Sequence, residues 1–514
     1  MRPCRGPRPV LTGHFQSTLH DTAASRAVEV HALALRPPHE LMHLAGTAVA
    51  RLTLAVAPHA QSIWVVAGPG NNGGDGLIAA TLLHSAGRRV RVSLLGEPRK
   101  LPHDASWALE IARQAGVAIE TSVDSAPVDL VIDALLGLGG RRDPGGDLAL
   151  AIDRINAMQA TRLAVDLPSG LNADTGQCLG RAAVRATHTL ALLTLKPGLF
   201  TGAGRDHAGR IWLDTLGCEA AQTSTMAQTR LACSADLTAA RPGRHHASHK
   251  GTYGDLAVVA GAPGMAGAAL LASRAALAAG AGRVFVSLLD DAPPVLDTLR
   301  PELMFRRHWW LSDPATLSRS TVVCGCGGGV AVHATLPPLL SRCPRLVLDA
   351  DALNVLATDP GLLRQLDARA ARGQSTVLTP HPLEAARLLA TTASAIQADR
   401  VYSARELARR HGCVVVLKGS GSVIAAPDGR VLINPTGNAL LAGPGSGDVL
   451  AGWLGGQWAQ MTGTDSALRA AAASTWLHGR AADLALQAQP GLRSMGAADL
   501  ADAMRTAALT AEAA

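Results

Sequence analysis

Gly68-Pro69-Gly70-Asn71-Asn72-Gly73-Gly74-Asp75-Gly76 follows the apolar run Ile63–Val66 and leads into the helix-patterned stretch Leu77–Ala86. A buried strand, a glycine-rich turn and a helix in that order open a βαβ unit. Gly68, Gly70 and Gly73 fit GxGxxG. Such glycines permit a tight turn and let a phosphate approach backbone N–H groups at a helix N-terminus. Two asparagines and an aspartate are unusual in a plain diphosphate loop, because a carboxylate repels phosphate. The loop therefore reads as meeting a sugar hydroxyl, an amide or a cation as well as phosphate. The plainer alternative is a turn tied by Asx hydrogen bonds.

Outward from this loop the same alternation continues. Val90–Leu95, Leu130–Asp133 and Leu163–Asp166 read as buried strands, with Ala105–Ala115 and Leu148–Asn156 as helices between them. Glu40–Val56 reads as a helix packed outside. Strands alternating with helices predict a parallel α/β sheet. After Leu213 the composition shifts, and Thr215 to His249 read as the connecting region between two domains. The alternation then resumes with Leu256–Ala260, Val284–Leu288, Thr321–Cys324, Leu346–Asp349, Thr376–Leu378 and Val414–Leu417 as strands. Ala268–Ala279 and Glu384–Ala390 read as helices.

The 514 residues suffice for two large domains or three ordinary ones. With 48% apolar and 17% charged residues the chain is not a disordered one. Aromatics are only 3%, so the cores must be built from Ala, Leu and Val. The net charge of +7 comes from scattered arginines with no basic run, which argues against nucleic-acid binding. Leu256 to Leu289 is broken by Pro263, Arg274 and Arg283, so no membrane span is expected. The N-terminus has no apolar core of signal-peptide length, and the eight cysteines form no CxxC pair. A reducing, cytoplasmic setting is expected, with each cysteine a small buried hydrophobe.

Polar residues gather where predicted strands end. Asp133 opens the segment Asp133-Ala134-Leu135-Leu136-Gly137-Leu138-Gly139-Gly140, and Asp166 opens Asp166-Leu167-Pro168-Ser169-Gly170. In an open α/β sheet the C-terminal strand ends face the ligand crevice. Asn72, Asp133 and Ser169 could converge there as hard oxygen donors for an alkali or alkaline-earth cation. The second half has six such loops in succession. They are Gly261 to Ala269, Cys324 to Gly329, Asp349 to Asn354, Thr379 to Glu384, Lys418 to Ser422 and Gly443 to Asp448. Six on one sheet point to a nucleotide site. Gly445-Ser446-Gly447-Asp448 offers a helix N-terminus for phosphoryl oxygens beside a carboxylate able to take a proton from an attacking hydroxyl. Lys418 in its glycine-rich setting reads as a phosphate contact. His245, His246 and His249 read as histidines of the connecting region, and Trp309-Trp310 as core or interface.

The GNNGGDG, DALLG and VDLPSG segments resemble the NAD(P)H-hydrate epimerases over residues 22 to 216. HKGTYG, GAPGMAGAALLA, LDADALN, LTPHPLE, VVLKGSGS and GPGSGDVLAG resemble the ADP-dependent NAD(P)H-hydrate dehydratases over about residues 228 to 514. The resemblance implies an epimerase domain over residues 1–216, a linker over 217–227, and a ribokinase-like α/β domain over 228–514. By it, Asn71, Asn72, Gly73, Gly74 and Asp75 would line the hydrated nicotinamide nucleotide with Gly137, Leu138, Gly139, Gly140, Arg141, Arg142 and Asp143. Asn72, Asp133 and Ser169 would hold potassium, and Asp166 would be the acid–base group. Ala268, Gly327, His381 and Asp448 would meet the hydrate, with Asp448 catalytic. Lys418, Gly419, Ser420, Gly421, Ser422 and Gly447 would bind ADP, which acts with magnesium. Three loops depart from the family's usual sequence. GTGL after DALLG is Gly137-Leu138-Gly139-Gly140 here, GPGLG is Gly325-Cys326-Gly327-Gly328-Gly329, and GGTG before Asp448 is Pro444-Gly445-Ser446-Gly447. The implied activity is bifunctional repair: R and S hydrates are interconverted and the S hydrate is dehydrated with ADP. The alternative is a ribokinase-like ATP-dependent small-molecule kinase with a non-catalytic N-terminal binding domain. A homo-oligomer is expected, because such folds commonly associate through sheet edges or helix faces.

Overall fold

The computed structural model describes residues 6–10, 17–123, 126–140, 142–218, 228–240, 243–291 and 295–511. Two compact units divide at Thr229, one over Ser17–Thr229 and the other from Arg230 onward. Each is an α/β unit with a largely parallel sheet. Among the described residues no helix is long and apolar enough to cross a membrane.

The first unit's sheet has the strand order Arg8–Pro9, Arg210–Asp214, His188–Leu192, Thr161–Val165, Leu130–Ala134, Ser62–Ala67, Arg89–Leu94, Ala118–Glu120. All pairings are parallel except that of Arg8–Pro9. From Ser62–Ala67 the chain winds outward to Ala118–Glu120. It then returns to the other side of its first strand and winds the opposite way. The order therefore reverses between Ser62–Ala67 and Leu130–Ala134, where a crevice must open above the strand ends. The GNNGGDG and DALLG loops are the two that leave those strands. Strand residues alternate between two cores: Ile63, Val65 and Ala67 face one, Trp64 and Val66 the other. Trp64 is wholly buried and satisfies its indole by donating to Ser93 Oγ at 2.9 Å.

The second unit repeats the device. Its strands run Met304–Phe305, Arg283–Leu288, Asp255–Ala260, Ser320–Cys324, Arg345–Leu348, Ser375–Leu378, Val414–Leu417, Val423–Ala425, Val431–Ile433, Thr229–Leu231. The order reverses between Asp255–Ala260 and Ser320–Cys324. The loops leaving those strands are Gly261 to Ala269 and Gly325 to Gly329. Leu256, Val258 and Ala260 pack on one face, Ala257 and Val259 on the other. Trp309 and Trp310 are buried in the core, in keeping with the sequence reading. Within Thr215–His249, read as connecting region, Thr229–Leu231 joins this sheet and Ser234–Ala240 is a helix. The strand is three residues long, too short to show a period.

Low aromatic content is met by backbone-close packing. The helix Ser446–Ala459 lies against Ala266–Ala278 through Gly452 and Gly456. A methyl group on Gly452 would stand 2.0 Å from the carbonyl oxygen of Ala272, and one on Gly456 2.3 Å from that of Ala276. In the first unit, a methyl on Gly68 would stand 1.8 Å from the carbonyl oxygen of Leu135. Gly68→Ala must part the two strand ends at the crevice. Overpacking of this kind costs about 1–3 kcal/mol, so thermal denaturation should show a lowered first-unit transition. A variant melting with the parent would show the loops are not held this closely.

Candidate functional site

In the first unit a cavity of about 430 Å³ lies at the reversal point, lined by Asn71, Asn72, Asp75, Leu135 to Gly140 and Asp166. Asp166 ends the strand Thr161–Val165 with φ +65, the left-handed region that non-glycine residues seldom occupy. Its N–H donates to the Leu190 carbonyl at 2.7 Å. Its Oδ1 accepts from the Leu192 N–H at 3.1 Å and from Lys196 Nζ. Lys196 is fully buried and also donates to the Leu192 carbonyl at 3.0 Å. This network fixes a strained carboxylate facing the cavity, and strain held by its surroundings is a common mark of a working site. Asp75 lines the same cavity. Burial, reinforced by the charges of Asp166, Glu29 and Asp104, holds its carboxyl well above the ordinary range.

Beneath the cavity Asp133 is wholly buried. Ser169 donates to it twice, from Oγ to Oδ1 at 2.6 Å and from N–H to Oδ2 at 2.9 Å. Burial nevertheless pushes its carboxyl up to about 6. The Ser169 hydroxyl accepts from the Leu136 N–H at 2.9 Å. The next residue, Gly137, packs against the Asn72 amide, whose Nδ2 is buried without a hydrogen-bond partner. The Asn72 amide, the Ser169 hydroxyl and the Asp133 carboxylate are linked here through two backbone residues, and each carries a hard oxygen. These donors fit an alkali cation.

The cavity takes up only part of the predicted set. Gly73 and Gly74 turn inward, against Gly68 and Met42. Arg142 and Asp143 are exposed and stand outside the lining, and Arg141 lies outside the described residues. The helix Thr22–Ala34, which sequence periodicity did not reveal, adds Arg26 and Glu29 to the lining.

In the second unit, Asp448 lies in the first turn of Ser446–Ala459, after Gly445 at φ +84. Burial, with the nearby charge of Asp349, raises its carboxyl to about 6. Lys418 donates to Asp349 Oδ1 at 2.6 Å, and a methyl on Gly447 would stand 3.3 Å from its Nζ. The ammonium thus sits beside the helix N-terminus, and both favour anions. Burial opposes the charge on Lys418, but Asp349 and Glu384 outweigh it and raise its pKa. His381 caps Pro382–Leu388, accepting from the Leu383 N–H at 3.0 Å, while Glu384 accepts from the His381 N–H at 2.7 Å. Burial pushes Glu384 up to about 7. Gly327, at φ +54, packs against Ala268, so these two predicted hydrate contacts meet. Behind the Lys418–Ser422 loop, buried Arg400 donates to the carbonyls of Leu417 and Lys418 at 3.1 and 3.2 Å.

A family model described as NAD(P)H-hydrate dehydratase matches residues 256–506, and one described as YjeF-related protein N-terminus matches residues 38–198. The bifunctional NAD(P)H-hydrate repair enzyme Nnr of Escherichia coli is 39% identical over 469 residues, 90% of this chain and 88% of that one. This chain belongs to the bifunctional NAD(P)H-hydrate repair enzyme family. The family member from Moorella thermoacetica is also 39% identical, over 473 residues and 86% of each chain. The crystal structure of the ADP/ATP-dependent NAD(P)H-hydrate dehydratase of Bacillus subtilis, with ATP and magnesium, is 29% identical. It covers 55% of this chain and 98% of that one, with a TM-score of 0.48.

Three residues of this family member escaped the sequence reading: Lys196, Asp349 as the partner of Lys418, and Arg400. Lys196 is one of only four lysines, a scarcity that was the one available signal. Lys418 lies 69 residues from Asp349, and the carbonyls that Arg400 meets lie 17 and 18 residues on.

Proposed function

We propose that this chain repairs hydrated NADH and NADPH in two steps, one in each unit. The first unit interconverts the R and S hydrates. The second transfers a phosphoryl group from ADP to the hydroxyl of the S hydrate and expels it as phosphate, leaving AMP and NAD(P)H. The observation that supports this most is that each unit sets a carboxyl by its sheet's reversal point: buried Asp166 lines the cavity there, and half-buried Asp448 stands beside Cys326, in the loop leaving Ser320–Cys324.

Inverting a hydrated ring carbon needs a proton acceptor and a donor beside the ring. Asp166, paired with Lys196, is placed to accept. Asp75, whose carboxyl burial holds well above the ordinary range, is placed to donate. In the second unit Asp448 takes the proton of the hydrate hydroxyl. The N-terminus of Ser446–Ala459 and Lys418 stabilise the transferring oxygens. Phosphorylation turns a poor leaving group into a good one. Magnesium bound with the nucleotide would neutralise phosphate charge.

Asn72, Asp133 and Ser169 would hold potassium, which would supply positive charge beneath the hydrated ring. Potassium is expected to stimulate epimerisation in the parent, read by chromatography of the two hydrates without ADP. Asp133→Ala should lose that stimulation and leave the ADP-dependent step unchanged. Equal stimulation in both would remove potassium from this position. The whole reading is tested by incubating mixed R and S hydrates with ADP, magnesium and potassium. Complete return of reduced-nicotinamide absorbance is expected; no recovery with either ADP or ATP would overturn it.

A further inference from the structure

Cys326 follows the strand Ser320–Cys324, in the loop Gly325 to Gly329. Its side chain is fully buried, and Sγ lies 3.8 Å from Asp349 Oδ2. One ligand atom from each of Cys326, Asp349 and Asp448 lies within 4.8 Å of the others. Tetrahedral zinc, with Zn–S about 2.3 Å and Zn–O about 2.0 Å, sets sulfur and oxygen about 3.5 Å apart. The thiol and carboxylate are therefore spaced almost as zinc would space them. Asp349 is also oriented for the task. Lys418 Nζ and Thr379 Oγ1 both donate to its Oδ1, at 2.6 and 2.8 Å, which leaves Oδ2 turned to the thiol. A carboxylate held through its far oxygen is the outer-shell support that metal ligands ordinarily have. Asp448 is half-buried, so its side of the group is partly exposed to solvent. One sulfur with two oxygens suits zinc, whereas magnesium prefers oxygen alone.

We propose that Cys326, Asp349 and Asp448 form a site for a thiophilic divalent cation, zinc in type, which occupies the Asp448 carboxylate and stops the dehydration step. Binding exchanges the thiol proton for the metal: Cys–SH and Zn²⁺ give Cys–S–Zn⁺ and H⁺, with no change of oxidation state. The site stands on geometry alone; its effect on turnover rests on the function proposed above.

The test uses the full chain and two readouts. Cobalt(II), a spectroscopic substitute for zinc, is titrated without substrate. A thiolate-to-cobalt absorption band is expected in the parent, and it should be absent from Cys326→Ala and Cys326→Ser. It should persist in His39→Ala, which removes a ligand from the separate group His39, His103 and Asp104. No band in the parent, or a band that survives in Cys326→Ala, would overturn the site. Zinc inhibition of ADP-dependent recovery is measured separately, each variant against its own uninhibited rate. Half-inhibition should need at least about tenfold more zinc in Cys326→Ala, since even outer-shell losses cost about 10–100-fold in affinity. Equal zinc sensitivity in parent and variant would overturn the inhibitory role. A cobalt band in a chain with no dehydratase activity would instead count against the functional reading and leave the site standing.

Discussion

Asp448→Asn is expected to abolish ADP-dependent recovery of NADH from its S hydrate, with kcat falling about 10²–10⁴-fold, the usual worth of a general base. Asparagine keeps the size of the side chain in the first helical turn but cannot accept the proton. Epimerisation in the same chain should continue at the parent rate, which serves as an internal control for folding. The pH profile gives a second readout. Burial and Asp349 raise the Asp448 carboxyl to about 6, and a general base works in its ionised form. The parent kcat/KM should therefore fall as pH drops through about 6, by about tenfold per unit below it. Recovery by Asp448→Asn within a few-fold of the parent would remove this residue from the chemistry.

Asp166→Asn is expected to confine recovery to the S fraction of a mixed hydrate preparation, since the R fraction can no longer be converted. The epimerisation rate should fall about 10²–10⁴-fold. Its partner offers a different test. Lys196 is fully buried, and its ammonium is the cation bonded to the Asp166 carboxylate. Lys196→Met leaves that carboxylate without its counter-ion, and breaking a buried pair costs about 3–5 kcal/mol. A clear loss of thermal stability should accompany the loss of epimerisation. The double variant Lys196→Met/Asp166→Asn should regain part of the stability and none of the activity. A Lys196→Met chain as stable as the parent would show that the pair does not hold the strand end.

The parts legible in the sequence follow from how parallel sheets are built. Strands covered on both faces read as unbroken apolar runs. Ser62–Ala67, Leu130–Ala134 and Val414–Leu417 were accordingly visible to within about two residues. Short antiparallel strands such as Val423–Ala425 and Val431–Ile433 are too brief to carry a period, and they passed unread. The loops at strand ends declared themselves through glycine and polar residues, so the places where the two sites form were readable. Their inner wiring was not. Lys196 meets Asp166 from 30 residues away, and Lys418 meets Asp349 from 69 residues away. Such pairings arise from strand order, which no local pattern encodes. Arg142 and Asp143 show the converse: they adjoin a lining loop in sequence and yet stand clear of the cavity.

The contact between Ser446–Ala459 and Ala266–Ala278 bears on how this enzyme can vary. The first helix carries Asp448 at its start and the second carries Ala268. Backbone meets backbone at Gly452 and Gly456, with no side chains between to yield. A side chain at either glycine would shift one helix along with Asp448 or Ala268 near its start. Those two positions are closed to substitution, although each lies a turn or more from Asp448. The loops are held as closely in places: a methyl on Gly325, beside Cys326, would stand 2.0 Å from the carbonyl oxygen of Asp349. The spacing of Asp448 and Ala268 is thus set by backbone contact and does not depend on the side chains around them.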